Sequence, residues 1–283
     1  MKNAITLTLL FLIVVATGCR DHTPYGNNKS AGRYYNVRGF DMYVETYGEG
    51  EPLLLIHGNN GNGSSFTGNI PYFTKKYKVI VPDSRSQGHS INDLDSISFE
   101  MMADDFAALL DSMHTGPAYV IGWSDGGINA LELAIRHPDK VKKLVSTGAN
   151  LWPGPTAFEK QTWLDMVSEY PEIQKKPAYT YAEQRDKKMF LLDYQQPHID
   201  PKELSKIKCP ALIMAGEHDV IRQQHTELIY KHIPKANLWI MKGAGHGTLY
   251  ENKRWFNHNV AAFFDKPYDA TNTFGSFMSK FWE

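Results

Sequence analysis

The sequence predicts an α/β fold with a mostly parallel central sheet and helices on both faces, and three observations carry that prediction. Short, continuous apolar runs recur at 53–56, 78–82, 118–121, 143–146, 211–215 and 237–241, the pattern of strands covered on both faces. Amphipathic helical stretches lie between them. The alternation breaks in one place, 151–206, where Trp, Tyr, Met and Phe are scattered among charges with helical spacing. Such a break inside a βα series reads as an insertion over the sheet rather than as part of it.

The elements follow in order. Lys2, an apolar segment from Ala4 to Ala16 and then Thr17-Gly18-Cys19 form the charged, apolar and small-residue order of an export signal, too short for a convincing membrane-spanning helix. Residues 1–18 are therefore expected to be a signal peptide. Residues 19–32 are polar and rich in Gly, Asn, Lys and Ser, as a tether is. Two alternating segments, Tyr34 to Arg38 and Asp41 to Tyr47, meet around Gly39 as an antiparallel pair. Helices are expected at 65–77, 99–114, 126–137, 223–232 and 255–264. The clearest is 99–114, where Met102, Phe106, Leu109, Leu110 and Met113 share one face behind Ser98 as cap. The core thus spans 33–150 and 207–265, with a small helical lid at 151–206 whose stops are Pro153, Pro155, Pro171, Pro177, Pro197 and Pro201. The tail, 266–283, carries no pattern that assigns it a structure.

Composition excludes some classes of function. The 283 residues carry 30 Lys and Arg against 31 Asp and Glu, a formal net charge of −1, so no global field favours nucleic acid or an anionic surface. The glycines of 58–65 lack the following lysine of a phosphate loop. No His-x-x-x-His pair or paired-cysteine site occurs, so neither a metal nor an organic cofactor is expected. Cys209, before Pro210 and an apolar run, reads as a buried free thiol.

The chemistry gathers at strand ends. Gly122-Trp123-Ser124-Asp125-Gly126-Gly127 follows the buried run at 118–121 and precedes a helix. A tight strand-to-helix turn leaves no room for side chains at Gly122 and Gly126 and presents the Ser124 hydroxyl beside free helix N–H groups. A serine needs a base, and the base needs an acid to fix its tautomer. Asp219 lies just beyond one later strand and His246 beyond the next, giving the order Ser124, Asp219, His246. Glu217 is the reserve acid, and His218, His225 and His232 are weaker bases. Oxyanion donors are assigned to the backbone N–H groups of Asn59, in the turn after 53–56, and of Asp125. His57 braces that turn.

His57-Gly58, Asp83-Ser84-Arg85-Ser86-Gln87-Gly88-His89-Ser90, the Ser124 turn, Gly216-Glu217-His218-Asp219 and Gly245-His246 together resemble the α/β-hydrolase superfamily, over Tyr34 to Asp265. The resemblance implies an α/β-hydrolase fold with a serine nucleophile at 124; haloalkane dehalogenases have aspartate there. Ser86 stands where many relatives carry glycine. The run from Gly122 to Asn150 is more closely similar to the valacyclovir hydrolase (biphenyl hydrolase-like) branch, with proline iminopeptidases more distant. In that branch, the aspartate after the nucleophile receives the substrate's α-amino group, which makes Asp125 a substrate-binding residue. The other reading of Asp125 is a carboxylate that merely complements the helix N-terminus, worth about 0.3–1 kcal/mol.

Ala16-Thr17-Gly18-Cys19 resembles the lipobox of bacterial lipoproteins, which implies lipidation at Cys19 and a membrane-anchored, exported protein. An ordinary cleaved signal, giving a periplasmic or secreted chain, or a retained anchor are the alternatives. The function expected is serine hydrolysis of small carboxylic esters, α-amino acid esters among them, through an acyl-enzyme. A carbon–carbon bond or lactone hydrolase with the same triad, and a membrane-tethered binding protein on a hydrolase scaffold, are the rivals.

Overall fold

The computed structural model describes residues 23–92 and 96–270. The expected signal segment, Cys19 and nearly all of the tail lie outside the described residues.

Eight strands form one sheet: β1 (Gly32–Val37), β2 (Phe40–Tyr47), β3 (Glu51–Ile56), β4 (Tyr77–Pro82), β5 (Ala118–Trp123), β6 (Val141–Thr147), β7 (Ala211–Gly216) and β8 (Ala236–Met241). Their spatial order is β1-β2-β4-β3-β5-β6-β7-β8. β1 and β2 pair as the antiparallel hairpin expected around Gly39, and β2 runs antiparallel to β4. From β4 to β8 the neighbours are parallel. Period-two alternation divides the strand side chains between two cores. Leu54, Ile56, Val120, Leu144 and Ile213 face one side, while Leu53, Leu55, Ile121, Val145, Leu212 and Met214 face the other. Because both faces are covered, these strands read as unbroken apolar runs.

Eight α-helices are found among the described residues: α1 (Ile70–Phe73), α2 (Phe99–Ser112), α3 (Asp125–Arg136), α4 (Lys160–Lys175), α5 (Tyr181–Gln195), α6 (Gln223–His232), α7 (Thr248–Glu251) and α8 (Lys253–Asp265). α2, α3 and α6 cover the first core, and α1 and α8 the second. Ser98 caps α2 as expected, its side chain accepting from the Met101 N–H. The helix expected over 65–77 is instead a 3-10 turn, Gly63–Phe66, followed by the single turn of α1. Gly68 and Pro71 explain the break, since the first favours irregular backbone and the second has no N–H to continue a helix.

Between β6 and β7, the segment 151–206 supplies α4, α5 and the 3-10 turn Pro201–Lys206. Pro171 does not end a helix there; it lies inside α4. That helix buries none of its residues, so the carbonyl left without a donor faces water, which lowers the cost of the proline. α5 opens with a capping box between Thr180 and Glu183 and adds Met189 and Leu192 to the first core. Cys209 is a buried free thiol just before β7, and burial pushes its pKa up to about 12.

Candidate active site

Ser124 sits between β5 and α3 with φ 57° and ψ −122°, a left-handed backbone that costs a non-glycine residue of the order of 1–3 kcal/mol. The surroundings hold it there. Its N–H donates to the Thr147 carbonyl at 2.9 Å, and its carbonyl accepts from the N–H groups of Gly127 and Ile128. A Cβ on Gly122 would lie 2.0 Å from the Gly126 oxygen, and one on Gly126 would lie 1.9 Å from the Ile56 oxygen. Both glycines are therefore required by contact with backbone that cannot move aside, and the turn exposes the hydroxyl at the carboxyl edge of the sheet.

The structure brings Ser124, Asp219 and His246 together from the ends of β5, β7 and β8. His246 Nε2 is 2.9 Å from Ser124 Oγ, and its Nδ1 is 2.6 Å from Asp219 Oδ1. The Asp219 carboxylate is held by the N–H groups of Gly216 and Ile221. An acceptor at Nδ1 places the imidazole proton on that nitrogen and leaves Nε2 free to accept the serine proton. Gly148, beyond β6, has φ +66°, and a Cβ there would lie 2.8 Å from His246 Cε1. The ring needs that space, a requirement the sequence reading missed. Trp123 Nε1 donates to the His246 carbonyl at 2.8 Å and ties the histidine loop back to β5.

The turn after β3 packs directly on the nucleophile: a Cβ on Gly58 would be 3.1 Å from Ser124 Cβ. Neither the Asn59 nor the Asp125 N–H is used in a hydrogen bond among the described residues, so both are free for an incoming anion. His57 is buried and takes no part in proton transfer with Ser124. Its Nδ1 donates to the Gly58 carbonyl at 2.7 Å and its Nε2 accepts the Ser84 N–H at 2.9 Å, while burial lowers its pKa. Asp83 accepts from the N–H groups of Gly63 and His89, so the loops after β3 and β4 lock together. Ser86 has φ 63° within this loop, the conformation that makes glycine the easier residue at that place.

Asp125 is 4% exposed. Its Oδ2 accepts from Asn59 Nδ2 at 3.0 Å, and the same amide donates to the Met189 carbonyl of α5 at 3.2 Å. Its other partner is unexpected. The Asp125 carboxyl is hydrogen-bonded to that of Asp193, also on α5. Burial raises the pKa of both, and mutual repulsion takes Asp193 well above the usual carboxylate range. No lysine or arginine pairs with either acid among the described residues. Asp193 escaped the sequence reading; its one signal is an acid within the otherwise apolar and aromatic run Met189 to Tyr194.

The remaining sequence candidates fall elsewhere. Glu217 accepts from the Gly243 N–H, His225 Nε2 accepts from the Leu151 N–H with its pKa lowered to about 4 by burial, and His232 Nδ1 contacts the Leu228 carbonyl. His218 is exposed beside Glu217. Of the aromatics at 151–206, Trp163 and Phe190 stack with Tyr170 and Tyr194, Trp152 sits edge-on to His225, Tyr181 accepts from the Asn92 N–H, and Tyr179 is exposed.

The family model described as alpha/beta hydrolase fold matches residues 51–182. Serine hydrolase BPHL from Homo sapiens is 30% identical over 227 residues, covering 74% of this chain and 78% of that protein. A putative carbamate hydrolase RutD from Azorhizobium caulinodans is 34% identical over 252 residues, covering 79% and 94%. Among solved structures, the enol-lactonase from Burkholderia xenovorans LB400 superposes with a TM-score of 0.68 at 20% identity, over 83% of this chain and 100% of that one. With a relative of such identity spanning most of the chain, and a parallel sheet ordered as described, this protein belongs to the α/β-hydrolase fold family.

Proposed function

We propose that the protein is a serine hydrolase of small carboxylic esters and that α-amino acid esters are its preferred substrates. The hydrogen-bonded series Asp219, His246, Ser124 carries the reading. His246 Nε2 takes the Ser124 proton as Oγ attacks the ester carbonyl, and the resulting imidazolium is balanced by Asp219. The oxyanion meets the N–H groups of Asn59 and Asp125, the second at the positive end of α3. His246 then gives its proton to the leaving alcohol, and a water deprotonated by His246 releases the acid from Ser124. The segment 151–206 acts as the lid over this edge. The named relatives include a serine hydrolase and a putative carbamate hydrolase, and both descriptions are compatible with acyl transfer through a serine.

The amine preference rests on Asp125. A carboxylate beside a developing oxyanion opposes the reaction unless a cation offsets it, and the protein supplies no lysine or arginine among the described residues. An α-ammonium lies two bonds from the scissile carbonyl carbon, within reach of a residue whose own N–H serves the oxyanion. A role limited to complementing the helix N-terminus does not account for a second acid bonded to the first.

Two measurements test the reading. Ser124→Ala is expected to lower ester hydrolysis by on the order of 10⁴–10⁶-fold with the fold retained, and to abolish fluorophosphonate labelling; intact labelling defeats the mechanism. Wild type is expected to favour an α-amino ester over its des-amino analogue. Asp125→Asn should cost roughly thirtyfold to several thousandfold in kcat/KM on the amino ester, the worth of a sheltered charged pair, with the analogue spared. Equal losses on both esters defeat the amine assignment.

A further inference from the structure

Two carboxyls joined by a hydrogen bond require a proton between them, because an ionised carboxylate has only acceptors. Asp125 and Asp193 are so joined. Asn59 Nδ2 donates to Asp125 Oδ2 and to the Met189 carbonyl. Asp193 stands one helical turn beyond Met189, so one face of α5 is laid on the nucleophile turn and delivers its acid there. Asp125 already receives the Asn59 amide and a contribution from His246 that favours its ionised form. Asp193 faces Asp125, with Asn59 as its only other polar support. The proton therefore belongs on Asp193 and the charge on Asp125.

We propose that Asp193 is a positioning residue that stays protonated in the working enzyme, donates its O–H to Asp125 and thereby keeps that carboxylate ionised and aimed at the substrate's ammonium. The pair then carries one negative charge in total, which a single ammonium neutralises, leaving no net charge to oppose the oxyanion. Two ionised acids would leave an excess negative charge beside it. The carbonyl oxygen of protonated Asp193 also remains available as a neutral acceptor for the ammonium, so α5 takes part in selecting the acyl group. The substrate part of this inference rests on the amine preference proposed above; the proton on Asp193 does not.

Two readouts separate the parts. The first is a difference infrared spectrum of wild type against Asp193→Asn near neutral pH, which is expected to contain the C=O stretch of a protonated carboxylic acid that the variant lacks. Absence of that band overturns the proposal whatever the substrate. The second is the ratio of kcat/KM for an α-amino ester to that for its des-amino analogue. Asparagine keeps a donor and a neutral acceptor, so Asp193→Asn should hold the ratio within about threefold of wild type. Asp193→Leu, or Asp193→Ala if leucine prevents folding, should lower it tenfold or more with the des-amino ester spared. A ratio unchanged in the apolar variants makes Asp193 merely structural, and asparagine losing as much as leucine makes it an anion; either result overturns the proposal. A wild-type ratio near one defeats the amine reading itself and, with it, the substrate part, while the infrared band still reports on the proton.

Discussion

Glu132 is 6% exposed on α3, and no hydrogen bond satisfies it among the described residues. It faces a cavity of about 530 Å³ bounded by Glu100, Arg136, His198 and Glu203, away from the triad. Burial first, and repulsion from Glu100 second, raise its pKa from 4.5 to about 7, with Arg136 pulling the other way. A carboxyl whose folded pKa lies above its unfolded one binds more protons in the native state. Its contribution is fully present below pH 4.5 and is lost as pH rises through 7. Glu132→Gln should therefore leave stability at pH 4.5 nearly unchanged and raise it at pH 8 by roughly 1–3 kcal/mol. Urea unfolding at the two pH values checks this, and an equal effect at both would mean that the glutamate is not protonated in the fold.

At the scale of elements, the turn that carries Asn59 is only as well placed as the loop after β4 that braces it through Ser84 and His57. That loop is anchored in turn to α2. Arg85 Nε and Nη2 each lie 2.6 Å from an oxygen of the fully buried Asp105, and the guanidinium stacks 3.9 Å from the centre of the Phe40 ring. Removing one member of such a pair strands the other as an uncompensated buried charge. Asp105→Ala is expected to cost about 3–5 kcal/mol, seen as a lower urea midpoint with an unchanged slope. A loss below about 1 kcal/mol, typical of an exposed pair, would show that the anchor is dispensable.

For the molecule as a whole, the open question is where it works. No helix among the described residues is long and apolar enough to cross a membrane, and the segment that bears on anchoring lies outside them. We propose, from Ala16-Thr17-Gly18-Cys19, that Cys19 becomes the first residue of the mature chain and carries lipid. Metabolic labelling with a fatty-acid analogue should mark the wild-type chain and place it in the membrane fraction, and Cys19→Ser should lose both. Because every residue assigned to the site lies between Asn59 and His246, ester hydrolysis per molecule should be unchanged in that variant. Labelling and membrane association that persist in Cys19→Ser contradict the lipoprotein assignment.

What could be read directly from the sequence is what neighbouring residues impose on one another. The strands show as continuous apolar runs because the sheet is covered on both faces, and α2 shows as a stripe behind Ser98 because one face of it is buried. Gly122 and Gly126 mark the nucleophile turn because its sterics are local, and Asp219 and His246 are found by asking which acid and base follow later strands. The sequence also indicates where local chemistry competes with a pattern, yet the weight of each part was misjudged twice: Gly68 and Pro71 break the helix expected over 65–77, whereas Pro171 is tolerated inside exposed α4. Only the tertiary structure decided which distant side chains meet. Gly148 must be small because the His246 ring lies over it, and Asp193 matters because α5 settles with one face on the Ser124 turn. Neither fact has a periodicity or a spacing to announce it. A shared proton depends on two carboxyls arriving together in a site stripped of water, and that desolvation exists only once the whole chain has closed around them.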